Sequence, residues 1–228
     1  MKILVIDVGG TNVKVLATGK RTPIKIPSGR HMTPRLMAKE VLAATADWEY
    51  DAVSIGYPGP VLRGRPAREP WNLGKGWVRF DFKKAFRRPV RVINDAAMQA
   101  LGSYAGGKML FLGLGTGLGS TLIVDGMLIP LELAHLPYAH GRTYEEYLGE
   151  AGFHELGKRT WRRHVARVSG LFMDAFGVEY IVFGGGNSKR LDDLPPRTRL
   201  GSNANAFKGG FRLWSDQSPS ASRSRRRA

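Results

Sequence analysis

The sequence predicts an α/β protein built from two similar lobes that face a cleft. Two strand–glycine–strand segments, at 3–18 and 109–129, each begin a half in which further strands and helices alternate. The 228 residues, 43% of them hydrophobic, can bury the core of two small lobes or of one large domain. A single doubly wound sheet is the alternative that these patterns leave open.

The first half begins with an apolar segment, KILVID, which predicts a buried strand that ends at the turn residues Gly9 and Gly10. A second strand, VKVLAT, completes a tight hairpin. Helical spacing follows in TPRLMAKEVLAATADW, where Thr33 is a candidate cap in front of Pro34. The segments DAVSIGYPGPV and RPVRVIND predict further strands, and AAMQALGSYA predicts a helix after the second of them.

The second half repeats the strand–glycine–strand pattern. Its first segment, KMLFLGLGTGLGSTLIVDGMLI, predicts a strand, a glycine turn and a strand. The stretch from YEEYL to MDAF is mainly helical, with breaks expected near 149–152, and VEYIVFGGGN predicts a strand that ends at glycines. The last residues are polar and rich in serine and arginine. We therefore expect an N-terminal lobe at 1–94, a C-terminal lobe at 95–213 and a disordered tail at 214–228.

Composition excludes several classes of protein. Cysteine is absent, which excludes disulfides and thiolate metal sites and is compatible with a reducing cytoplasm. The N-terminal apolar run is too short and too polar for a signal peptide or a membrane span. The formal net charge is +16, of which residues 213–228 supply +3 from four arginines and one aspartate, so +13 remains on residues 1–212. This excess favours a polyanion nearby, although a generally basic surface is the simpler explanation.

The glycine turns predict sites for phosphate. Backbone amides bind phosphate closely where glycine allows the chain to approach and to adopt positive φ. DVGGTNVK offers such amides with a hydroxyl, a lysine and a carboxylate, LGLGTGLGS offers a second set, and FGGGN offers a third. No G-x-x-x-x-G-K-[ST] segment occurs, and strand-like residues follow the glycines, so neither a P-loop nor a Rossmann dinucleotide site is expected.

The order of six motifs resembles the sugar kinases of the ROK family, within the actin/hexokinase/Hsp70 ATPase superfamily, and is most similar to glucokinases and polyphosphate glucokinases. The motifs are DxGGTxxK, GYPGPV, NDA, LGLGTGLGSTLIVDG, ELAH and FGGGN, and the resemblance spans about residues 3–213. It implies a two-lobed actin-like ATPase (ribonuclease H-like) fold with a cleft between the lobes. It also implies a cytoplasmic enzyme, and it suggests a homodimer.

By motif match, the resemblance implies three elements that bind the phosphates or the nucleotide. Asp7 would also hold Mg²⁺, through water. The matched positions are Asp7, Gly9, Gly10, Thr11 and Lys14 in the first element, Gly115, Thr116, Gly117 and Gly119 in the second, and Gly184, Gly185, Gly186 and Asn187 on the adenosine side.

The resemblance also implies the sugar site. Asn94 and Asp95 match the sugar-binding asparagine and the catalytic aspartate, and ELAH matches an E-x-G-H motif that gives Glu132 and His135 as ligands of sugar hydroxyls. Transfer of a phosphoryl group to an alcohol needs a base, which suits Asp95 between a predicted strand and helix, although either Asn94 or Asp95 also fits a helix cap. Asn72 is a further candidate. The flanking Trp71 and Trp77 suit either a sugar face or the core.

The chain departs from the family pattern at two points. Ala134 stands where the motif usually has glycine, and the family's cysteine-rich zinc element is missing, so no structural zinc is expected. The position of the glutamate that normally follows that element is therefore open, with Glu150 in roughly the right region.

Basic residues recur at helical spacing in LGKRTWRRHVARV. A solvated helix face is one interpretation, and a track for polyphosphate around Arg162 is the other. The residues are Lys158, Arg159, Arg162, Arg163 and Arg167. The tail arginines, Arg223, Arg225, Arg226 and Arg227, suit a nonspecific basic tail.

The leading hypothesis is a glucokinase that uses Mg²⁺ and ATP, polyphosphate or both, without a membrane partner or a specific nucleic acid. The alternatives are a sugar-responsive ROK regulator, a kinase for another small hydroxylated substrate, and an inactive scaffold. A regulator would carry a DNA-binding helix-turn-helix ahead of the sugar domain, whereas the first strand here begins at Lys2. The ELAH motif favours a sugar over an acid, and intact Asp7 and Asp95 argue against a scaffold. The sequence does not decide between ATP and polyphosphate.

Overall fold

The computed structural model of the chain describes residues 1–202 and 204–215 and contains two five-stranded sheets. The first lobe is built around the order β3-β2-β1-β4-β7. Its elements are β1 (Ile3–Val8), β2 (Asn12–Ala17), β3 (Ile24–Pro27), α1 (Pro34–Ala44), β4 (Ala52–Tyr57), β5 (Val61–Leu62), β6 (Arg65–Pro66), α2 (Phe82–Phe86) and β7 (Val90–Asn94).

The second lobe is built around the order β10-β9-β8-β13-β14. Two short 3-10 helices, at Leu133–His135 and Gly186–Arg190, flank its strands. The other elements of the second half of the chain are α3 (Asp95–Ser103), β8 (Lys108–Leu114), β9 (Leu118–Val124), β10 (Met127–Leu131), β11 (Pro137–Ala139), β12 (Arg142–Thr143), α4 (Tyr144–Leu148), α5 (Glu150–Phe176), β13 (Tyr180–Gly184), β14 (Thr198–Leu200) and α6 (Asn205–Arg212).

The two sheets have the same internal topology. In each, the first three strands form an antiparallel meander, and two parallel strands extend the sheet from the first strand. The predicted duplication of strand–glycine–strand hairpins is therefore confirmed. Because parallel strands end at the same edge of a sheet, the turn after β1 lies beside the ends of β4 and β7, and the turn after β8 lies beside the end of β13.

Each lobe has its own apolar core. The first core surrounds β1 and β4 and includes Trp77, whose side chain is fully buried and packs at 5.6 Å from the ring of Tyr57. The second core lies between the second sheet and α5 and is centred on the buried Trp161, whose indole N–H donates to the carbonyl of Leu148 at 3.0 Å. Burial assigns Trp77 to the core, whereas Trp71 is 93% exposed.

Helix α6 returns to the first lobe. It crosses α3 where Gly102 and Gly209 face each other's helix, so closely that a Cβ on either would overlap backbone atoms. The hydroxyl of Ser54 on β4 donates to the carbonyl of Gly210 at 2.6 Å. The proposed division into lobes at 94 and 95 stays a prediction, with α6 as the segment that connects the second half to the first sheet.

The long helical stretch breaks where glycines occur. Gly149 separates α4 from α5, which matches the predicted break, and a second interruption at Gly157 has φ 72° and ψ 159° inside α5. No helix within 1–202 and 204–215 combines the length and apolar character needed to cross a lipid bilayer.

Trp214 is the first residue of the predicted tail, and it is held by the first lobe. Its indole N–H donates to Ser54 Oγ at 2.9 Å, and its ring lies under the guanidinium of Arg91 at 4.3 Å. Trp214 therefore packs on the folded protein, which corrects the expected start of the tail, and the rest of the predicted tail, 216–228, lies outside the described residues.

Candidate active site

The first glycine turn joins β1 to β2. The amide of Gly9 donates to the carbonyl of Asn12 at 3.1 Å, and the Ser28 hydroxyl donates to the carbonyl of Gly9 at 2.6 Å, which fixes the turn from both sides. Within the described ranges, the amides of Gly10 and Thr11 have no acceptor. The turn therefore presents two adjacent N–H groups and a hydroxyl, which is the geometry that binds a phosphate oxygen.

Asp7 and Lys14 form a pair beneath this turn. They are register partners on β1 and β2, and Lys14 Nζ lies 3.5 Å from Asp7 Oδ2. Burial raises the pKa of the Asp7 carboxyl, and the charge of Lys14 only partly offsets this. A carboxylate in such a place is stabilised by additional positive charge, which a phosphate-bound cation can bring.

The second glycine turn joins β8 to β9. The amide of Gly115 donates to the carbonyl of Gly117 at 3.1 Å, which leaves the amides of Thr116 and Gly117 without an acceptor in the described part of the chain. Gly119 stands where a side chain would press against Ala96 on α3, so this glycine lets the turn approach the helix that carries Asp95. The second turn thus has the same character as the first.

Glu145 is a contact of this turn that sequence reasoning missed. Its Oε2 accepts the amide hydrogen of Leu118 at 3.1 Å and lies where a Cβ of Gly117 would stand. Glu145 belongs to α4, 27 residues away along the chain, and no local pattern indicates such a contact. The carboxylate fixes the turn and adds a negative charge beside it.

The third glycine element follows β13. Gly185 has φ 79°, and a Cβ there would overlap the backbone of Leu114, so only glycine fits this approach. The side-chain amide of the buried Asn187 donates to the carbonyl of Gly115 at 3.1 Å, which ties the third element to the second. A cavity of about 320 Å³ opens beside Gly184 and Gly185 and is also lined by Ser188, Lys189, Leu200, Gly201 and Ser202.

Asp95 begins α3 at the end of β7. Asn94 caps the helix: its Oδ1 accepts the amide hydrogen of Ala97 at 3.1 Å, and its Nδ2 donates to the carbonyl of Gly59 at 3.1 Å. Of the two candidate caps, Asn94 therefore has this role. The carboxyl of Asp95 accepts the amide hydrogen of Ala96 at 2.8 Å.

The surroundings of Asp95 favour its protonated form. Burial, and next the negative charge of Asp7, raise the pKa of the Asp95 carboxyl to about 7, with Glu132 adding to the same effect. The amide of Ala96 acts in the opposite direction. A carboxyl with a pKa near neutrality is suited to accept a proton at physiological pH.

The candidate sugar ligands differ in how closely the structure connects them to this carboxyl. Glu132 is exposed at the start of the 3-10 helix after β10, near enough for its charge to act on Asp95. Asn72 is exposed and packs over Gly10, so it connects the first turn to the candidate sugar site. His135 is exposed one turn after Glu132, and no contact joins it to the other candidates in the described residues.

Glu150 makes hydrogen bonds next to the third glycine element. Its Oε1 accepts from His154 at 2.8 Å and from Arg190 at 3.2 Å, and hydrogen bonding from Asn187 lowers the pKa of its carboxyl. Its amide donates to the carbonyl of Gly115 at 2.9 Å. These bonds place Glu150 in the framework of the second and third turns.

The basic face of α5 is partly neutralised by the protein itself. The guanidinium of Arg162 donates to the carbonyl of Arg190 and forms an ion pair with Asp192, and Lys158 Nζ lies 3.2 Å from the same carboxylate. Arg163 is exposed and reaches only the hydroxyl of Thr160, at 3.4 Å. Arg162 therefore supports the segment after the third glycine element, and the exposed arginines of α5 remain available.

Several known proteins are similar to this chain in sequence. No family model matches the sequence. A polyphosphate glucokinase from Mycobacterium leprae is 28% identical over 213 residues, which are 84% of this chain, and the chain spans 65% of that protein's length. A polyphosphate glucokinase from Mycobacterium tuberculosis is 29% identical over 214 residues, which are 84% of this chain and 80% of the relative.

A solved structure agrees with these relatives. The inorganic polyphosphate/ATP-glucomannokinase from Arthrobacter is 26% identical and has a TM-score of 0.76 over 92% of this chain and 96% of that one. The likeness confirms the predicted two-lobed actin-like ATPase fold. The ordered motifs, the duplicated lobes and these likenesses agree, which confirms the predicted resemblance to the sugar kinases of the ROK family.

Proposed function

We propose that the protein phosphorylates the 6-hydroxyl of glucose, with ATP, inorganic polyphosphate or both as the donor. The observation that carries the proposal is the placement of Asp95. Its carboxyl stands at the N-terminus of α3, beside the buried Asp7 and within electrostatic range of Glu132, with Gly119 bringing the second glycine turn against the same helix.

Asp95 has the role of general base in this proposal. The glucose hydroxyl oxygen attacks the terminal phosphorus of the donor as its proton passes to a carboxylate oxygen of Asp95. The new O–P bond forms while the bond to the leaving phosphate oxygen breaks, and the leaving group keeps that electron pair. The bond from the Ala96 amide orients the carboxyl, and closure of the lobes excludes water from the reacting atoms.

Glucose would be held by groups around this base. Glu132 and His135 offer an acceptor and a ring nitrogen, Asn72 offers an amide, and Asn94 retains one amide hydrogen after its bond to Gly59. Several polar groups that bind several hydroxyls at once favour a hexose over a molecule with fewer hydroxyls, because each missing hydroxyl removes a hydrogen bond.

The donor phosphates would lie between the first two glycine turns. The amides of Gly10, Thr11, Thr116 and Gly117 have no acceptor among the described residues and can donate to the phosphates, and Lys14 adds positive charge. The cavity beside Gly184 and Gly185 suits an adenosine.

Mg²⁺ fits this arrangement through Asp7. No three acidic or histidine side chains of the described residues form a ready metal cage, and Mg²⁺ normally combines one or two carboxylates with waters and donor phosphates. When bound, the ion would neutralise phosphate charge, and the burial that raises the pKa of the Asp7 carboxyl is consistent with a cation beside it.

The proposal is tested by measuring hexose phosphate formation with glucose, mannose and N-acetylmannosamine, each with ATP and with polyphosphate. We expect glucose 6-phosphate with at least one donor, and loss of turnover when Mg²⁺ is removed. Sugar binding by calorimetry without transfer from either donor would contradict a kinase and would favour a regulatory protein. Transfer to another small alcohol, with no turnover of glucose, would contradict the assigned substrate.

A further inference from the structure

A second concave surface lies at the outer edge of the first sheet. It is a cavity of about 720 Å³ bounded by the hairpin of β5 and β6, the segment 79–83, the edge strand β7 and Leu128 of β10. We call it the β7 groove. None of the predicted site residues lines it, so its chemistry is separate from that of the glycine turns.

The β7 groove is strongly positive. Four of its lining residues, Arg63, Arg65, Arg79 and Lys83, are exposed, and their side chains have no hydrogen bond, ion pair or ring contact with the described part of the chain. The acidic residue of the described lining is Asp81, whose Oδ1 accepts the amide hydrogen of Lys84 at the start of α2. Within the described part of the chain, the groove therefore holds four cations with no neutralising partner.

Apolar side chains form the floor beneath these cations. Phe82 and Val92 are buried, and Phe80 and Leu128 complete the surface. Low-dielectric walls lined by one sign of charge concentrate the electric field in a cleft, so each cation attracts an anion more strongly here than on an open surface. The guanidinium groups can also bind phosphate oxygens in pairs.

The β7 groove lies beside the strand β7, which leads directly into Asp95. Ile93 lines it, and the Cα atoms of Ile93 and Asp95 are at most about 8 Å apart, because each trans peptide spans about 3.8 Å. Asn94 holds the carbonyl of Gly59, just before the hairpin that carries Arg63 and Arg65. A polymer held in the groove is therefore kept close to Asp95.

The basic face of α5 contrasts with this surface. Arg162 and Lys158 share Asp192, and Arg162 also holds the carbonyl of Arg190. A phosphate polymer that bound at Arg162 and Lys158 would have to compete with the carboxylate of Asp192. The unpaired cations of the β7 groove have no such competitor.

We infer that the β7 groove binds a stretch of inorganic polyphosphate and keeps the donor polymer tethered beside the active site. The inference rests on the proposed function, in which polyphosphate serves as donor. A tether raises the local concentration of the polymer's reactive end, so its effect depends on chain length. A chain too short to reach both sites gains nothing from the groove.

The test compares two double variants of the full chain with the same change of charge. One is Arg65→Glu with Arg79→Glu in the β7 groove, and the other is Arg159→Glu with Arg163→Glu on exposed positions of α5. Equilibrium binding is measured with labelled long-chain polyphosphate and with tripolyphosphate, and the KM values for polyphosphate and ATP are measured beside it.

We expect the groove variant to weaken long-chain binding by about tenfold, the size of a loss of two charge-assisted contacts. Tripolyphosphate binding should change much less, the polyphosphate KM should rise more than the ATP KM, and the α5 variant should stay within about twofold of wild type. Equal losses in both variants, or a loss in the α5 variant alone, would overturn the inference. The inference would also be overturned if an oligonucleotide of matched charge bound the wild type as tightly as long-chain polyphosphate does and lost that binding in the groove variant.

Binding is read without turnover, so this result stands apart from the kinase assay. A chain that turns over no glucose but binds long polyphosphate in the groove would contradict the proposed function alone. If the protein phosphorylates glucose but the groove variant binds long-chain polyphosphate as tightly as wild type does, only this inference is contradicted.

Discussion

The carboxyl of Asp95 combines two properties that the proposed chemistry needs. It is oriented by a hydrogen bond from the amide of Ala96, and its pKa of about 7 matches the pH at which a base must work. Burial is the largest cause of that pKa, so the property depends on the dry environment at the start of α3. The cap supplied by Asn94 leaves this carboxyl free for substrate.

The ionisation of Asp95 predicts the pH dependence of turnover. A base is active when deprotonated, so kcat/KM for glucose should rise as the pH passes through about 7 and should level off above it. Initial rates from roughly pH 5 to 9 at constant ionic strength give this profile. A kcat/KM that stays constant across that range would show that no group with this pKa controls the reaction.

The same ionisation predicts an effect on stability. A folded-state pKa of about 7, against 3.8 for the unfolded chain, means that the native state binds more protons between these values, so the wild type loses stability as the pH rises through that window. Asp95→Asn removes the titration. The Tm of the variant relative to wild type should therefore be higher above pH 7 than near pH 4.

Asp174→Asn is the matched control for this comparison, because Asp174 is exposed on α5 and has no ion pair in the described residues. Its Tm difference from wild type should stay nearly constant with pH. If the Tm difference between Asp95→Asn and wild type is equally constant with pH, burial does not disfavour the charged form of Asp95.

At the scale of elements, glycines decide where helices meet. Gly209 on α6 sits against the backbone of α3, where a Cβ would overlap the carbonyl oxygen of Met98. Gly170 on α5 has no atom within 4 Å of the place a Cβ would occupy. The same substitution should therefore have opposite effects at these two helical positions.

Gly209→Ala should lower the free energy of unfolding by about 1–3 kcal/mol because the crossing of α3 and α6 is overpacked. Gly170→Ala should raise it by about 0.5–1 kcal/mol because alanine restricts the unfolded chain and favours the helix. Denaturant titration of both variants measures these changes. A neutral Gly209→Ala would show that the two helices separate easily.

The neighbouring arginines of α5 give a second comparison at this scale. Arg162→Ala should reduce the free energy of unfolding by about 1–2 kcal/mol and raise the KM for ATP, because it removes the bonds to Arg190 and Asp192 that support the third glycine element. Arg163→Ala should change neither by much. The structural role of Arg162 would be wrong if Arg163→Ala had the larger effect.

Local signals in the sequence predict the elements well and their distant contacts poorly. The Thr33 cap, the paired hairpins and the break at Gly149 depend on residues close in sequence, so they could be read from it. The contact of Glu145 with Leu118 joins residues 27 apart, and that of Arg162 with Arg190 joins residues 28 apart. Only the folded chain brings such pairs together.

At the scale of the whole molecule, the duplicated sheets explain why three glycine segments far apart in sequence can serve one site. Each follows a strand that ends at the same edge of its sheet, and Asn187 joins the third segment to the second. The motif order predicts a grouping of all three segments, of which the bond from Asn187 to Gly115 joins the third to the second. The β7 groove could not be predicted, because its cations come from the hairpin tip, the segment 79–83 and α2, and a net charge of +16 does not say where charges gather.

The role of Asp95 as general base is tested most directly by glucose 6-phosphate formation in Asp95→Asn, with glucose affinity measured on the same protein. We expect a rate about 10²–10⁴ times below wild type, the usual contribution of a general base, with glucose still bound. A variant whose turnover stays within about threefold of wild type would contradict this role, because the proposed base would then contribute almost nothing to the barrier.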